Sequence, residues 1–438
     1  MRYNIIMIKK INSTFHDSII KIIFLMFASV LIGVILLFAS FCLPDSRILS
    51  HVKSSASTFN TEGLGFQILK ETNITTLDGF TDALMLDIAS CDSLSTDNKI
   101  YSNLEKALLD QYHSFDSDGP IGTLNKLANS DDELSSNVSY ARYWHGYLIY
   151  LRPLLLFFDY NLIRFFLFAI HIGLCAWFLV LLDKKSPTWV TISFVSVYVL
   201  TGSFIAPFSL QYFNVYTVTL ISSIVLLKFY EPIKKKGWVK YLFLLSGIAT
   251  SYFDLLTFPM VCLGVNLCLY ILLEKTLTCR EFFFLIFMWF LGYFGMWFSK
   301  WIAASAFTGQ NILEDALTSA QTRTDSNVAD ASITYIDVLS RNFGIISKRY
   351  LILPLLILLL LNSYFKYSKN AVLNKSRLIC MAVVILIPFL WYFMLKNHSY
   401  IHNWFTFRTL IPSLLGCLLL PGCFETKHPM LTRARLTA

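Results

Sequence analysis

Three stretches of the chain hold residues whose types and spacing could do chemistry. The first is Thr75-Thr76-Leu77-Asp78-Gly79-Phe80-Thr81-Asp82-Ala83-Leu84-Met85-Leu86-Asp87. Asp78 and Asp82 stand four apart, so a helix puts both on one face. Apolar residues 83–86 follow Asp82 and set it at the edge of a buried region, where a carboxylate can act as a general base. The same pair also suits a helix start, with Asp78 as N-cap and Asp82 as a first-turn acid. The second stretch is Ser251-Tyr252-Phe253-Asp254-Leu255-Leu256-Thr257-Phe258-Pro259. Asp254 interrupts an apolar run, and an ionisable group near membrane depth costs about 2–3 kcal/mol, which marks it for function unless it caps a helix. The third is Lys396-Asn397-His398-Ser399-Tyr400-Ile401-His402-Asn403-Trp404-Phe405-Thr406-Phe407-Arg408. A helix places His398 and His402 on one face. H-x-x-x-H can bind zinc, but no H-E pair or third ligand stands nearby. One guanidinium with two imidazoles suits a phosphate or pyrophosphate better. An interfacial polar and aromatic turn would have the same composition.

The elements that must position these residues are helices in a bilayer. Of 438 residues, 55% are hydrophobic and only 15% charged, with mean hydropathy +0.58. Soluble globules carry roughly 25% charged residues. This excludes a soluble enzyme, a disordered chain and a disulfide scaffold. A β-barrel is excluded because its strands alternate rather than run apolar throughout. The expected fold class is an all-α polytopic membrane protein. Crossing takes about 20 apolar residues. Ten candidate spans fall at 22–43, 163–182, 189–205, 211–229, 239–253, 257–273, 282–307, 350–365, 378–395 and 405–421. The first apolar run is too long for a signal peptide and lacks an A-x-A site, so it reads as a retained anchor.

Charge fixes the expected orientation. With the N-terminus inside, the inner segments 1–21, 183–187, 228–240, 274–281, 366–377 and 422–438 hold 20 Lys+Arg and 6 Asp+Glu. The remainder holds 16 Lys+Arg and 22 Asp+Glu. That is the positive-inside pattern, and it places both termini in the cytoplasm. The net charge of +8 then reflects orientation and not nucleic-acid binding. Nine Cys without a C-x-x-C spacing give no metal or redox framework.

The expected organisation is a cytoplasmic N-terminus (1–21), the first span (22–43), an acidic extracytoplasmic loop with interfacial helices (44–160), a bundle (161–307), a second outer loop (308–349), further spans (350–421) and a cytoplasmic tail (422–438). Near 100 residues is too long for a passive connector. Helical spacing appears at Tyr101, Leu104, Leu108 and Tyr112, and again at Ile121, Leu124 and Leu127. Tyr140–Phe158 reads as a helix lying on the membrane surface, with Arg142 and Arg152 beside Tyr143, Trp144, Tyr147, Leu148 and Leu151. In the second loop, Thr308–Ser332 reads as mobile, and Ile333, Ile336, Leu339, Phe343 and Ile346 as a surface helix. Lys300, Arg323, Arg341, Lys348 and Arg349 are cations on the outer side, against the topology rule.

A long acidic first loop directly after the first span, about ten spans and further polar outer loops resemble the GT-C class of polytopic glycosyltransferases. The stretches Phe80-Thr81-Asp82-Ala83-Leu84-Met85-Leu86, Ala141-Arg142-Tyr143-Trp144-His145-Gly146-Tyr147 and Asn397-His398-Ser399-Tyr400-Ile401-His402 are similar to those of uncharacterised bacterial members. The chain departs from the class in having no D-x-D near the first span. The resemblance implies inverting transfer of a sugar from a polyprenyl-phosphate donor to a glycan or lipid acceptor at the outer face. Asp82 would deprotonate the acceptor, and Asp254 would be a second acid or orient the sugar. His398, His402 and Arg408 would hold the donor phosphate. Asp78, Arg142, His145, Arg152 and Lys300 would contact acceptor or lipid. No cofactor is required, although a divalent metal is compatible with such a site. Two other readings stay open: a transporter or flippase of a lipid-linked glycan, and an integral acyltransferase or polymerase using His398 or His402 as base. A transporter should carry more polar residues at mid-span than His171, Asn214 and Asn266.

Overall fold

The computed structural model describes residues 2–91, 99–114, 118–129, 137–328, 331–347, 357, 361 and 371–426, with side chains from residue 18 onward. Almost everything described is helix. Among the described residues, three short antiparallel strand pairs accompany the helices, joining 112–113 to 137–138, 327–328 to 331–332, and 371–373 to 424–426.

Among the described residues, six helices are long and apolar enough to cross a membrane: Ser18–Phe41, Tyr160–Lys185, Leu210–Lys235, Cys279–Thr308, Lys375–Met394 and Asn403–Cys423. Three shorter apolar helices, Thr188–Leu200, Val239–Phe253 and Met260–Leu273, match further expected spans. At about 1.5 Å per residue, each of these three falls short of the ~30 Å hydrocarbon core. Most of the expected span at 350–365 lies outside the described residues. So do Lys348, Arg349 and residues 427–438 of the expected tail. Large apolar side chains such as Phe27, Phe165, Leu390 and Phe393 are more than 60% exposed along the outer faces of the long helices. A water-facing surface does not carry such a belt, whereas acyl chains suit it.

Inside the bundle, the Val239–Phe253 and Cys279–Thr308 helices cross backbone to backbone. A Cβ on Gly247 would meet the Trp289 carbonyl oxygen at 2.1 Å, and one on Gly292 would meet that of Leu244 at 2.2 Å. Reciprocal glycines of this kind allow close helix approach in lipid, where dispersion rather than water exclusion drives association. Pro232 removes a backbone donor from the Leu210–Lys235 helix, and Phe229 just before it leaves helical geometry (φ −111°, ψ 20°).

The first loop folds into a small helical domain. Asp45–Glu62 starts directly after Pro44, followed by Gly79–Ser90, Lys99–Leu109 and Gly119–Asn129. Ile48, Val52, Phe59, Met85, Ile88 and Leu124 are buried in the protein core. Three expectations need correction. Tyr112 lies beyond its expected helix, on a two-residue strand. Tyr140–Phe158 is not a surface helix: only Leu148–Leu155 is helical, and Trp144, Tyr147, Leu148 and Leu151 are fully buried. Their apolar stripe faces protein, not the bilayer surface. The described part of Thr308–Ser332 is not irregular: it holds the helix Ile312–Thr324, whose N-cap Asn311 accepts from the Glu314 amide, and the strand pair 327–328 with 331–332.

Candidate functional site

The first-loop domain meets one end of the bundle around a cavity of about 520 Å³. Its polar lining residues are Asp78, Thr76, Thr81, Gln211, Arg323, His398 and His402. Leu64, Phe80, Leu84, Leu255 and Phe405 are apolar, and Gly65, Tyr140 and Trp404 complete the lining. A lining that mixes the two kinds of group suits an amphiphile.

The cation in the cavity is Arg323, near the end of the Ile312–Thr324 helix. Its Nη1 lies 2.9 Å from His398 Nδ1 and 3.0 Å from His402 Nε2. A guanidinium can only donate, so both ring nitrogens accept. His398 therefore carries its proton on Nε2 and donates it to the Leu256 carbonyl at 2.8 Å. His402 carries its proton on Nδ1, a buried atom without a hydrogen-bond partner among the described residues. Both rings are neutral. Burial, with the neighbouring Arg323 charge, pushes His398 well below the ordinary histidine value and His402 down to about 4. Arg323 has no carboxylate partner among the described residues.

Asp78 is the acid in this cavity. It N-caps the Gly79–Ser90 helix, accepting from the Thr81 amide at 3.1 Å and the Thr81 hydroxyl at 3.0 Å. Burial is the largest influence and raises its carboxyl to about 6. The nearby Asp82 charge adds to the rise, and donors from Thr81 and Trp404 oppose it. A carboxyl poised there switches protonation near neutral pH. Gln211 brings a buried side-chain oxygen with no hydrogen-bond partner among the described residues.

Asp82 is placed differently. It is fully buried outside the cavity lining and accepts four hydrogen bonds: Tyr160 hydroxyl at 2.5 Å, Ser209 hydroxyl at 3.1 Å, Leu210 amide at 2.9 Å and Gln211 amide at 3.1 Å. Its carboxyl is set on the N-terminus of the Leu210–Lys235 helix. Burial lifts its carboxyl above the ordinary value against those donors. Its acceptor sites are occupied, so it positions Gln211 rather than taking a proton from a substrate.

Asp254 likewise organises a turn. Its carboxylate accepts from the Thr257 amide (3.0 and 3.1 Å) and hydroxyl (2.5 Å), and burial raises it to about 7. The turn holds Leu256 at φ +63°, a strained geometry for a branched residue. It brings Leu255 to the cavity and the Leu256 carbonyl to His398.

Arg408 is fully buried and absent from the cavity lining. It donates to the Ile74 carbonyl at 2.8 Å and lies over the Tyr212 and Phe407 rings, tying the last long helix to the first-loop domain. Arg323 stands where the sequence placed Arg408. No spacing rule links Arg323 to the histidines 75 and 79 positions away. Its one signal was a cation on the outer side of the expected topology.

The remaining candidates are absent from the cavity lining and make contacts within the protein. Arg142 pairs with Asp315 at 3.2 Å and covers the Tyr140 ring, fastening the helix that carries Arg323. His145, at φ +50°, lies 3.1 Å from the Tyr140 carbonyl and 3.0 Å from the Tyr147 hydroxyl. Arg152 bonds Asp45 and the carbonyls of Ser40 and Ala89. Lys300 bonds buried Asp110 at 2.6 Å, and burial lifts that carboxyl to about 7 even beside the ammonium. Among the described residues, no group of three or more His, Cys, Asp or Glu could hold a metal ion.

The cavity thus brings a carboxyl, a guanidinium and apolar side chains into one lining. Comparison of the chain with protein-family models, with curated proteins and with solved structures found no match. Function therefore rests on this geometry. A second cavity of about 420 Å³, lined by Phe178, Phe194, Tyr198, Tyr216 and Ile411 among others, is almost wholly apolar and shares no residue with the first.

Proposed function

We propose that the protein is a membrane glycosyltransferase that moves a sugar from a polyprenyl-phosphate donor to a glycan or lipid acceptor. The observation that carries this reading is the cavity lined by both buried Asp78 and the histidine-clamped Arg323 together with apolar side chains. In this reading the chain crosses a bacterial cell membrane about ten times with both termini inside, and the first-loop domain lies outside. Such a donor brings an apolar chain for Phe80, Leu84 and Leu255, a phosphate for Arg323, and hydroxyls for Gln211.

The transfer is an inverting displacement. Asp78 takes the proton of an acceptor hydroxyl. The hydroxyl oxygen forms a bond to the anomeric carbon as the bond from that carbon to the phosphate oxygen breaks. The electron pair leaves on the phosphate, and Arg323 and the His402 N–H stabilise the growing charge. The neutral histidines hold the guanidinium in place without competing for the anion.

The test is transfer of radiolabelled sugar from polyprenyl-phosphate donors in vesicles containing the purified chain. Loss of transfer in both Asp78→Asn and Arg323→Gln, with folding intact, supports the reading. Full transfer in either removes it.

A further inference from the structure

A second polar cavity, also of about 520 Å³, adjoins the first; Thr76 and Trp404 line both. Its own wall carries Asn73, Ser340, Arg341 and Asn403, and none of the lining residues is acidic. Gln67 donates to Asn73 Oδ1 at 2.8 Å, which leaves the Asn73 Nδ2 donors without a partner among the described residues. The exposed Arg341 guanidinium lies 3.7 Å from the centroid of the Tyr400 ring and interacts with the Asp337 carboxylate, and its N–H groups make no hydrogen bond among the described residues. Trp404 is only half-buried and offers an aromatic surface. Planar amide and guanidinium donors around an aromatic ring match a polyhydroxylated ring, which has hydroxyls at its edge and C–H groups on its face.

We infer that this second cavity is the acceptor site and takes a neutral sugar ring, with Asn73, Arg341 and Asn403 bonding its hydroxyls beside Trp404. The inference rests on the transferase reading and adds the substrate class. The wall shared through Thr76 and Trp404 is where an acceptor hydroxyl reaches Asp78, two residues from Thr76 in the chain. Donor and acceptor then occupy separate chambers.

The test uses the full purified chain in detergent, with methyl glycosides of glucose, galactose and N-acetylglucosamine as sugar probes and farnesyl phosphate as the lipid-phosphate probe. Binding is read by saturation-transfer NMR and equilibrium dialysis. Arg341→Ala and Asn403→Ala should weaken sugar binding at least tenfold and leave farnesyl phosphate binding unchanged. Arg323→Gln should do the reverse. Ser340→Trp adds bulk from an exposed position. It should exclude the sugar without touching buried structure, so the inference stays testable if the alanine variants fold poorly. Failure of every sugar probe to bind, sugar binding that survives Ser340→Trp, or competition between sugar and farnesyl phosphate for one site would each overturn it. Sugar binding with this pattern but no transfer from any donor would keep the site and remove the transferase reading.

Discussion

Arg323 Nη1 donates to His398 Nδ1 at 2.9 Å, and that contact fixes the protonation of the whole cluster. Because His402 receives the second Nη1 hydrogen at 3.0 Å, one nitrogen is used up in holding the side chain. Nε and Nη2 have no described partner. Arg323→Gln should therefore weaken farnesyl phosphate binding at least tenfold. Arg323→Lys should restore only part of that affinity. An ammonium keeps the charge but lacks the planar fork that serves clamp and anion together. Equal affinity in all three proteins, measured by equilibrium dialysis, would exclude Arg323 from the anion site.

Asp78 and Asp82 separate by experiment because their surroundings differ. Asn is as good an N-cap as Asp, so Asp78→Asn should fold normally while transfer falls by a factor of 100 or more, on the order expected for a lost general base. Asp82→Asn keeps its shape but puts an NH2 group where two of the four donors need an acceptor. It should cost about 2–4 kcal/mol of stability. Its transfer per folded molecule should fall less than that of Asp78→Asn. Thermal unfolding in detergent and transfer assays run together decide the matter. The opposite pattern would return the base to Asp82.

The pH dependence has two parts. Asp78 titrates at about 6 in the folded chain against 3.8 for a free carboxyl. As a base it must be ionised, so transfer should rise as pH passes upward through about 6. Its effect on stability has the opposite sign. The folded state binds this proton more tightly, so the contribution is full below pH 4 and is lost as pH rises through 6. Asp78→Asn should therefore be more stable at pH 7.5, by about 3 kcal/mol at most. The histidines run the other way. With folded values below 6.5, they contribute stability above that pH and lose it as pH falls toward 4. Protonating them would place imidazolium beside guanidinium and remove both acceptors, so the clamp should collapse near pH 4 in wild type and donor-phosphate binding should change with it. His402→Gln should move that collapse. A binding profile flat from pH 4 to 8 would contradict the neutral-imidazole clamp.

The helical membrane architecture was legible because apolar length is a local property of the chain. The runs that became Tyr160–Lys185 and Cys279–Thr308 announce themselves within a window of about 20 residues. The site was legible only in part. Asp78, His398 and His402 drew notice through i, i+4 spacing, and all three line the cavity. The division of labour between Asp78 and Asp82 was not readable, because it depends on Tyr160 and the Ser209–Gln211 amides arriving from more than 70 positions away. Arg408 misled for the same reason: adjacency to the histidines in the chain did not give adjacency in space, while Arg323 reached them across the fold. The apolar stripe of 143–151 was seen, but a stripe does not say whether lipid or protein will cover it.

Arg152 gives a prediction that separates architecture from chemistry. It is 1% exposed, yet it bonds the Asp45 carboxylate at 2.5 Å, the Ser40 carbonyl at 2.9 Å and the Ala89 carbonyl, and its guanidinium covers the Phe41 ring. Those partners belong to the end of the first long helix, the start of the next and the end of the Gly79–Ser90 helix. One side chain thus joins the first-loop domain to the membrane bundle. Arg152→Met fills similar volume but leaves two carbonyls without their donor, at about 1–3 kcal/mol each. Asp45 is 39% exposed and regains water, so its loss adds little. The unfolding temperature in detergent should fall clearly, while farnesyl phosphate affinity of the folded fraction stays at the wild-type value. Loss of affinity without loss of stability would instead put Arg152 in contact with lipid or acceptor.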